Sequence, residues 1–192
     1  EMKKIIIRIK NEILELQVGD INIYNVLASL AVLKEFNLNL KKTIKLFENF
    51  QPSEGRGRFH KIRRYKKRFR LIDESYNANP FSVKNALNSF SAIKKNKFKK
   101  YLLLGDMLEL GKKSKIYHSE LSRLINRSDI DKVFVKGENT LFTYKNLKKE
   151  KRGNIFQCNE DVDSMLKNII ANQDYLMIKG SNATGLNIIS NA

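Results

Sequence analysis

The segment Leu71-Ile72-Asp73-Glu74-Ser75-Tyr76-Asn77-Ala78-Asn79-Pro80 gathers two carboxylates, a hydroxyl, a phenol and two side-chain amides within ten residues. An apolar strand ends at Asp73. Pro80 sits where a helix begins, a position that loses nothing by lacking an N–H. In α/β sheets ligands bind at the carboxyl ends of strands, so these groups stand where a ligand would be held. The same residues would also make a polar turn with Asn79 as the helix N-cap. Taken alone, they leave both readings open.

Two further strand ends carry polar groups. Leu104-Gly105-Asp106-Met107-Leu108-Glu109-Leu110-Gly111 precedes a helix containing His118. An Asp and a His are metal-ligand types, but no second His or Cys stands at ligand spacing, so no metal site is assigned. A tight strand-to-helix connection with a surface histidine explains the segment as well. In Lys179-Gly180-Ser181-Asn182-Ala183-Thr184-Gly185 the cation and hydroxyls could hold an anion at a helix start, or form a terminal cap. No Gly-x-x-x-x-Gly-Lys-Ser/Thr loop and no Gly-x-Gly-x-x-Gly fingerprint occurs in the 192 residues. Gly55-Arg56-Gly57-Arg58 is neither, because it follows a helix and leads into a basic strand.

These loops need a sheet to position them. Residues 3–9 and 12–18 alternate apolar and polar and predict a hairpin through Lys10-Asn11, ended by Gly19-Asp20. Ile21 to Phe36 predicts a helix with a wide apolar face, and a second runs from about Leu40 to Phe50. Beyond residue 68, strand-like and helical segments alternate: strands at 69–73, 100–105, 132–136, 154–157 and 174–179, helices at 81–94, 114–126, 139–149, 160–171 and 184–190. Five such units imply a mostly parallel sheet covered on both faces. The expected boundary lies near residue 67, giving a partial α/β unit over 1–67 and a Rossmann-like domain over 68–192. The first part looks too small to close a core alone.

Hydrophobic residues at 42% support a real core, and a charged fraction of 30% is below that of a disordered chain. The net charge of +17 invites a nucleic-acid reading, sharpened by nine Lys or Arg and no acid in residues 56–70. The plainer account is that Lys is the default polar residue throughout. A single cysteine, Cys158, excludes an intramolecular disulfide framework, fits a reducing compartment and has no neighbouring cation or His to activate it. No apolar run approaches the roughly 18 residues of a membrane span. Glu1 to Ile7 is too short for a signal peptide and reads like a strand entered midway, which suggests a piece of a longer protein.

Taken together, Asp73–Pro80, Gly105–Gly111 with His118, and Lys179-Gly180-Ser181 resemble the Mur ligases, in particular the branch acting on UDP-N-acetylmuramoyl-tripeptide and D-alanyl-D-alanine. Upstream, Gly19-Asp20-Ile21-Asn22-Ile23-Tyr24-Asn25-Val26-Leu27-Ala28 resembles that family's Gly-x-His-Asn-x-x-Asn segment, and Gly55-Arg56 its arginine motif. The five pieces occur in family order over nearly the whole chain. The resemblance implies the tail of the central ATP-binding domain followed by the whole C-terminal Rossmann-like domain. The first domain, the phosphate loop and most magnesium ligands would lie in a missing amino-terminal part.

Carried over residue by residue, the resemblance implies that Asn22 and Asn25 face adenine and that Arg56 lies near the ATP phosphates as the catalytic cation. It gives Asp73 and Glu74 to the ribose and hinge side, with Glu74 where Asp is more usual. Ser75, Tyr76, Asn77, Asn79, Lys179 and Ser181 would face the substrates. Ile21 stands where the family has histidine. The implied reaction is ATP- and Mg2+-dependent amide-bond formation in cytoplasmic peptidoglycan precursor synthesis, with no nucleic-acid partner and with residues 1–192 inactive alone. Two rivals compete: a nucleic-acid-binding protein using 56–70 as a phosphate stripe, and a non-catalytic Rossmann-like interaction module. Neither accounts for the Asp73–Pro80 loop.

Overall fold

A computed structural model of the chain describes residues 3–18, 23–50, 52–94 and 96–191. It divides into two compact units, Glu1–Pro52 and Ser53–Ala192. The turn expected at Gly19-Asp20 and the helix start at Ile21-Asn22 lie outside the described residues.

In the first unit, β1 (Lys3–Ile9) and β2 (Glu12–Val18) pair antiparallel, with Ile7 opposite Leu14 and Ile5 opposite Leu16. Period-two alternation puts these side chains on one face. There they meet Val26 and Leu30 of α1 (Ile23–Glu35). The helix expected over 40–50 is only partly α-helical. After α2 (Leu40–Thr43), capped by the Asn39 side chain, residues Ile44–Asn49 tighten into a 3-10 helix. Ile44 is buried in the small core. Two β-branched residues in a row, Thr43 and Ile44, weaken the α-helix at that point.

The second unit is one six-stranded sheet. Its elements are β3 (Arg58–Arg64), β4 (Lys67–Glu74), α3 (Pro80–Ala92), β5 (Lys100–Gly105), α4 (Ser114–Arg127), β6 (Lys132–Lys136), α5 (Thr140–Lys145), β7 (Arg152–Phe156), α6 (Asn159–Ile169), β8 (Tyr175–Lys179) and α7 (Asn187–Asn191). The strand order is β3-β4-β8-β5-β6-β7, parallel except for β3, which pairs antiparallel with β4. The five expected β-then-α units are present. β5 and β8 are buried at every position because helices cover both faces. Leu102, Leu104 and Met177 point toward α3 and α4; Tyr101, Leu103, Leu176 and Ile178 point toward α6 and α7.

The boundary falls at Pro52/Ser53 rather than near residue 67. Strand β3 is the reason: residues 58–64 pair along their whole length with β4, so they belong to the sheet and not to the unit before it.

Candidate functional site

At their carboxyl ends β4, β8 and β5 form one rim, as parallel strands require. The Lys179 Nζ donates to the Asn77 carbonyl at 2.6 Å, tying the end of β8 to the loop after β4. Ser181 N–H donates to the Asp106 carbonyl at 3.0 Å, and its Oγ accepts from Leu108 N–H at 3.1 Å. The loops after Asp73, Gly105 and Lys179 are thus stitched together.

Behind them, Asp106 receives Thr140 N–H on Oδ1 at 2.8 Å and the Asn139 side-chain amide on Oδ2 at 3.2 Å, adding the loop after β6. Gly137 makes this possible. Its φ is +123°, and a Cβ there would lie 2.5 Å from the Asp106 carboxylate.

A turn at Ser53–Gly57 straps over the β4 end. Gly55 N–H donates to Asp73 Oδ2 at 3.0 Å, Gly57 N–H to the Asp73 carbonyl at 2.7 Å, and Tyr76 N–H to the Gly55 carbonyl at 3.1 Å. Asp73 Oδ1 accepts from the Ser75 hydroxyl at 2.6 Å and Ser75 N–H at 3.1 Å. Asp73 and Ser75 are 2% and 1% exposed, so both act inside the loop rather than on its surface. The strap delivers Arg56 onto the exposed Tyr76 ring, its guanidinium carbon 4.1 Å from the centroid. An exposed guanidinium held by a phenol is a fixed cation for an anionic ligand.

Lys179 is 1% exposed. Besides Asn77 it meets Glu74 Oε2 at 3.3 Å. Burial pushes its ammonium below the usual lysine value, against the pull of Glu74. Ser181 is likewise buried. Asn77 and Asn79 are exposed, but Asn79 caps α3, its Oδ1 accepting Ser82 N–H at 2.8 Å while Ser82 Oγ accepts Asn79 N–H at 3.1 Å. The cap reading of Asn79 is therefore realised.

Arg56, Asp73, Glu74, Ser75, Tyr76, Asn77, Asn79, Lys179 and Ser181 are brought to one rim. Asn25 is exposed on α1 of the first unit, and Asn22 lies outside the described residues. His118 is not the surface residue expected: it is fully buried, accepting Met107 N–H on Nε2 at 3.0 Å and bonded through Nδ1 to the Ser114 carbonyl at 2.9 Å. Because only a donor satisfies that carbonyl, the proton sits on Nδ1, and burial lowers the pKa below the ordinary 6.5. Two rim residues went unread in the sequence, Asp106 as an anchor and Lys136, whose Nζ donates to the Thr184 carbonyl at 2.7 Å and Asn159 Oδ1 at 2.9 Å. Their positions at the ends of strands were the available signal. Among the described residues no three His, Cys, Asp or Glu side chains gather as metal ligands.

Similar proteins converge on one family. Residues 57–182 match the Mur ligase, glutamate ligase domain. A Buchnera aphidicola (subsp. Baizongia pistaciae) protein called UDP-N-acetylmuramoyl-tripeptide–D-alanyl-D-alanine ligase is 30% identical over 176 residues, 88% of this chain and 35% of that protein. The fold matches MurF from Acinetobacter baumannii with a TM-score of 0.82 at 20% identity, over 99% of this chain and 42% of that one. It also matches MurF ligase from Thermotoga maritima in complex with ADP, at 0.79 and 19% identity, over 98% of this chain and 42% of that one. The chain spans about a third of the length of the Buchnera relative. With two-stranded and six-stranded units both aligned and the domain match covering the rim almost entirely, this chain belongs to the Mur ligase family.

Proposed function

We propose that these residues are the C-terminal portion of an ATP-dependent ligase joining D-alanyl-D-alanine to UDP-N-acetylmuramoyl-tripeptide in cytoplasmic peptidoglycan precursor synthesis. The likeness to the Buchnera ligase carries the reading, because it runs through 88% of the chain. The tripeptide carboxylate takes the γ-phosphoryl group of ATP and becomes an acyl phosphate. The free amine of the dipeptide attacks the carbonyl carbon, loses a proton, and phosphate leaves. Charge develops on the phosphoryl oxygens, so a positioned cation lowers the barrier. Arg56 is exposed and fixed on Tyr76, which suits that task. Tyr76, Asn77 and the free edge of Glu74 face the substrate side, while Asp73, Ser75, Lys179 and Ser181 hold them there. Asn25, with Asn22, serves the adenine side. Residues 1–192 carry no phosphate loop, so phosphate cradling and the magnesium ligands fall to the rest of the enzyme.

Phosphate release tests this, with ATP, magnesium, UDP-muramoyl-tripeptide and D-alanyl-D-alanine present. The 192-residue chain alone should give no dipeptide-dependent release. Supplying the amino-terminal two-thirds of a relative in trans should restore it. In that complex Arg56→Ala should lower turnover by roughly 100-fold while dipeptide binding changes little. Release by the chain alone, or none from the complex, would contradict the assignment.

A further inference from the structure

The ligase reading uses Arg56 and leaves the rest of the basic run without a task. Six of the chain's ten arginines lie between Arg56 and Arg70, beside three lysines and no acid. A general preference for lysine does not concentrate arginine in one hairpin. The pairing of β3 with β4 sets Lys61 opposite Arg70, Arg63 opposite Arg68 and Arg64 opposite Lys67. Directly opposed residues share a face, and like charges there repel. Arg64 and Lys67 relieve this by donating to the carbonyls of Ile189 and Lys167. Lys61, Arg63 and Arg68 are exposed and form no ion pair among the described residues.

The patch extends beyond the hairpin. The Arg70 guanidinium lies 4.8 Å from the Tyr175 ring and 5.6 Å from that of Phe98, and Phe98 is flanked by the exposed Lys97 and Lys99. Phe59, 44% exposed, shares the face with Lys61 and Arg63. Arg63, Arg68, Lys97 and Lys99 lie toward the end of the sheet opposite the rim, since Arg68 begins β4 and Lys99 precedes β5, while Phe59, opposite Ile72, stands at the rim end of the same face.

Edge protection explains charges on β3, an edge strand, but not Arg68, whose backbone N–H and carbonyl are already bonded to Asn172 Oδ1 and Gln173 N–H. Anionic lipid would use lysine and arginine alike and would favour a cluster of exposed apolar side chains, where this face offers Phe59 alone. On this face Arg63 and Arg68 stand among Lys61, Lys97 and Lys99, a cluster that suits several discrete phosphates, which the planar guanidinium grips bidentately and lysine meets as a point charge. We propose that the face formed by Phe59, Lys61, Arg63, Arg68 and the Lys97–Lys99 loop binds the phosphodiester backbone of single-stranded RNA, with Phe59 as a stacking platform for a base.

The test is fluorescence anisotropy of the 192-residue chain with a labelled uridine 12-mer across a salt series. About four phosphate contacts predict a log–log salt slope near −3, at roughly −0.7 per contact. Lys61→Glu/Arg63→Glu should weaken binding at least about tenfold at 0.1 M salt and flatten the slope to about −1.5. Each new Glu faces an arginine, so the same variant should melt about 2–4 °C higher, which separates lost binding from lost folding. Phe59→Ala should weaken binding about fivefold or more without changing the slope. Lys148→Glu/Lys149→Glu carries the same change of charge at the opposite edge of the sheet and should bind like the parent. Equal weakening by that control, a lower melting temperature for the hairpin variant, or capture by phosphatidylglycerol vesicles with no RNA binding would each overturn the proposal.

Discussion

His118 shows how one buried side chain holds a loop of the rim. Its imidazole bridges the α4 backbone at Ser114 and the chain just past β5 at Met107, accepting from one and donating to the other. Only the neutral ring with its proton on Nδ1 can do both, and a proton on Nε2 would face the Met107 N–H. Burial holds the folded pKa below the 6.5 of the unfolded chain. The unfolded state binds the extra proton first, so the stabilisation is complete above pH 6.5 and is lost as pH falls below it toward the folded value. Urea unfolding at pH 7.5 and 5.5 should show the parent losing up to about 1.4 kcal/mol more than His118→Gln over that interval. Equal losses would remove the histidine from the account. The spacing His118-Leu121-Ile125 was a signal for the buried face of α4, but the sequence could not supply the partners, which are backbone groups at Met107 and Ser114. Lys179 and Ser181 were legible as polar groups at a strand end, but not as buried struts, since their partners Asn77, Glu74 and Leu108 come from distant segments.

The Ser53–Gly57 strap is the element on which the site's geometry turns. It bonds to β4 through backbone groups and the Asp73 carboxylate, and it carries Arg56 onto Tyr76. Gly55 sits at φ +71°, and a Cβ there would come within 2.8 Å of the Tyr76 backbone nitrogen and Cβ. A flexible side chain could move aside; a backbone atom in a bonded loop cannot move without breaking the Tyr76–Gly55 hydrogen bond. Gly55→Ala should therefore cost about 2–3 kcal/mol in denaturant unfolding and lift Arg56 off the ring. An unchanged midpoint would mean that the strap is loosely held. The solidly apolar β5 and β8 announced themselves as central strands. β3 did not announce its pairing, because cations fall on both of its faces and the alternation reads Arg-Phe-His-Lys-Ile-Arg-Arg. The 3-10 ending at Ile44–Asn49 was equally unreadable, since helical periodicity does not separate the two helix types over one turn.

At the scale of the whole molecule, the two units differ in what they can do alone. The core of Glu1–Pro52 consists of one hairpin face and a few helical side chains, among them Leu14, Leu16, Val26 and Leu30. The core of Ser53–Ala192 has two layers, one on each side of a sheet whose central strands are wholly buried. The second unit should fold by itself if it starts at residue 53 and should fail if it starts at 68. Beginning at 68 removes β3 and the strap. β4 then becomes an edge strand with unpaired N–H and C=O groups beside Phe69 and Leu71, an invitation to association. The Asp73 carboxylate loses the Gly55 N–H while staying in the loop, and a carboxylate left short of a donor in a nearly buried position is destabilising by about 1–3 kcal/mol. Produced separately, residues 53–192 should be monomeric by light scattering with a single cooperative thermal transition. Residues 68–192 should aggregate or melt at least about 5 °C lower, in line with a loss of about 2 kcal/mol or more. Equal behaviour of the two would return the boundary to residue 67 and reduce β3 to an appendage. The expected difference means that Arg56 is carried by the same folding unit as Tyr76, so its placement over the ring is built when the sheet forms.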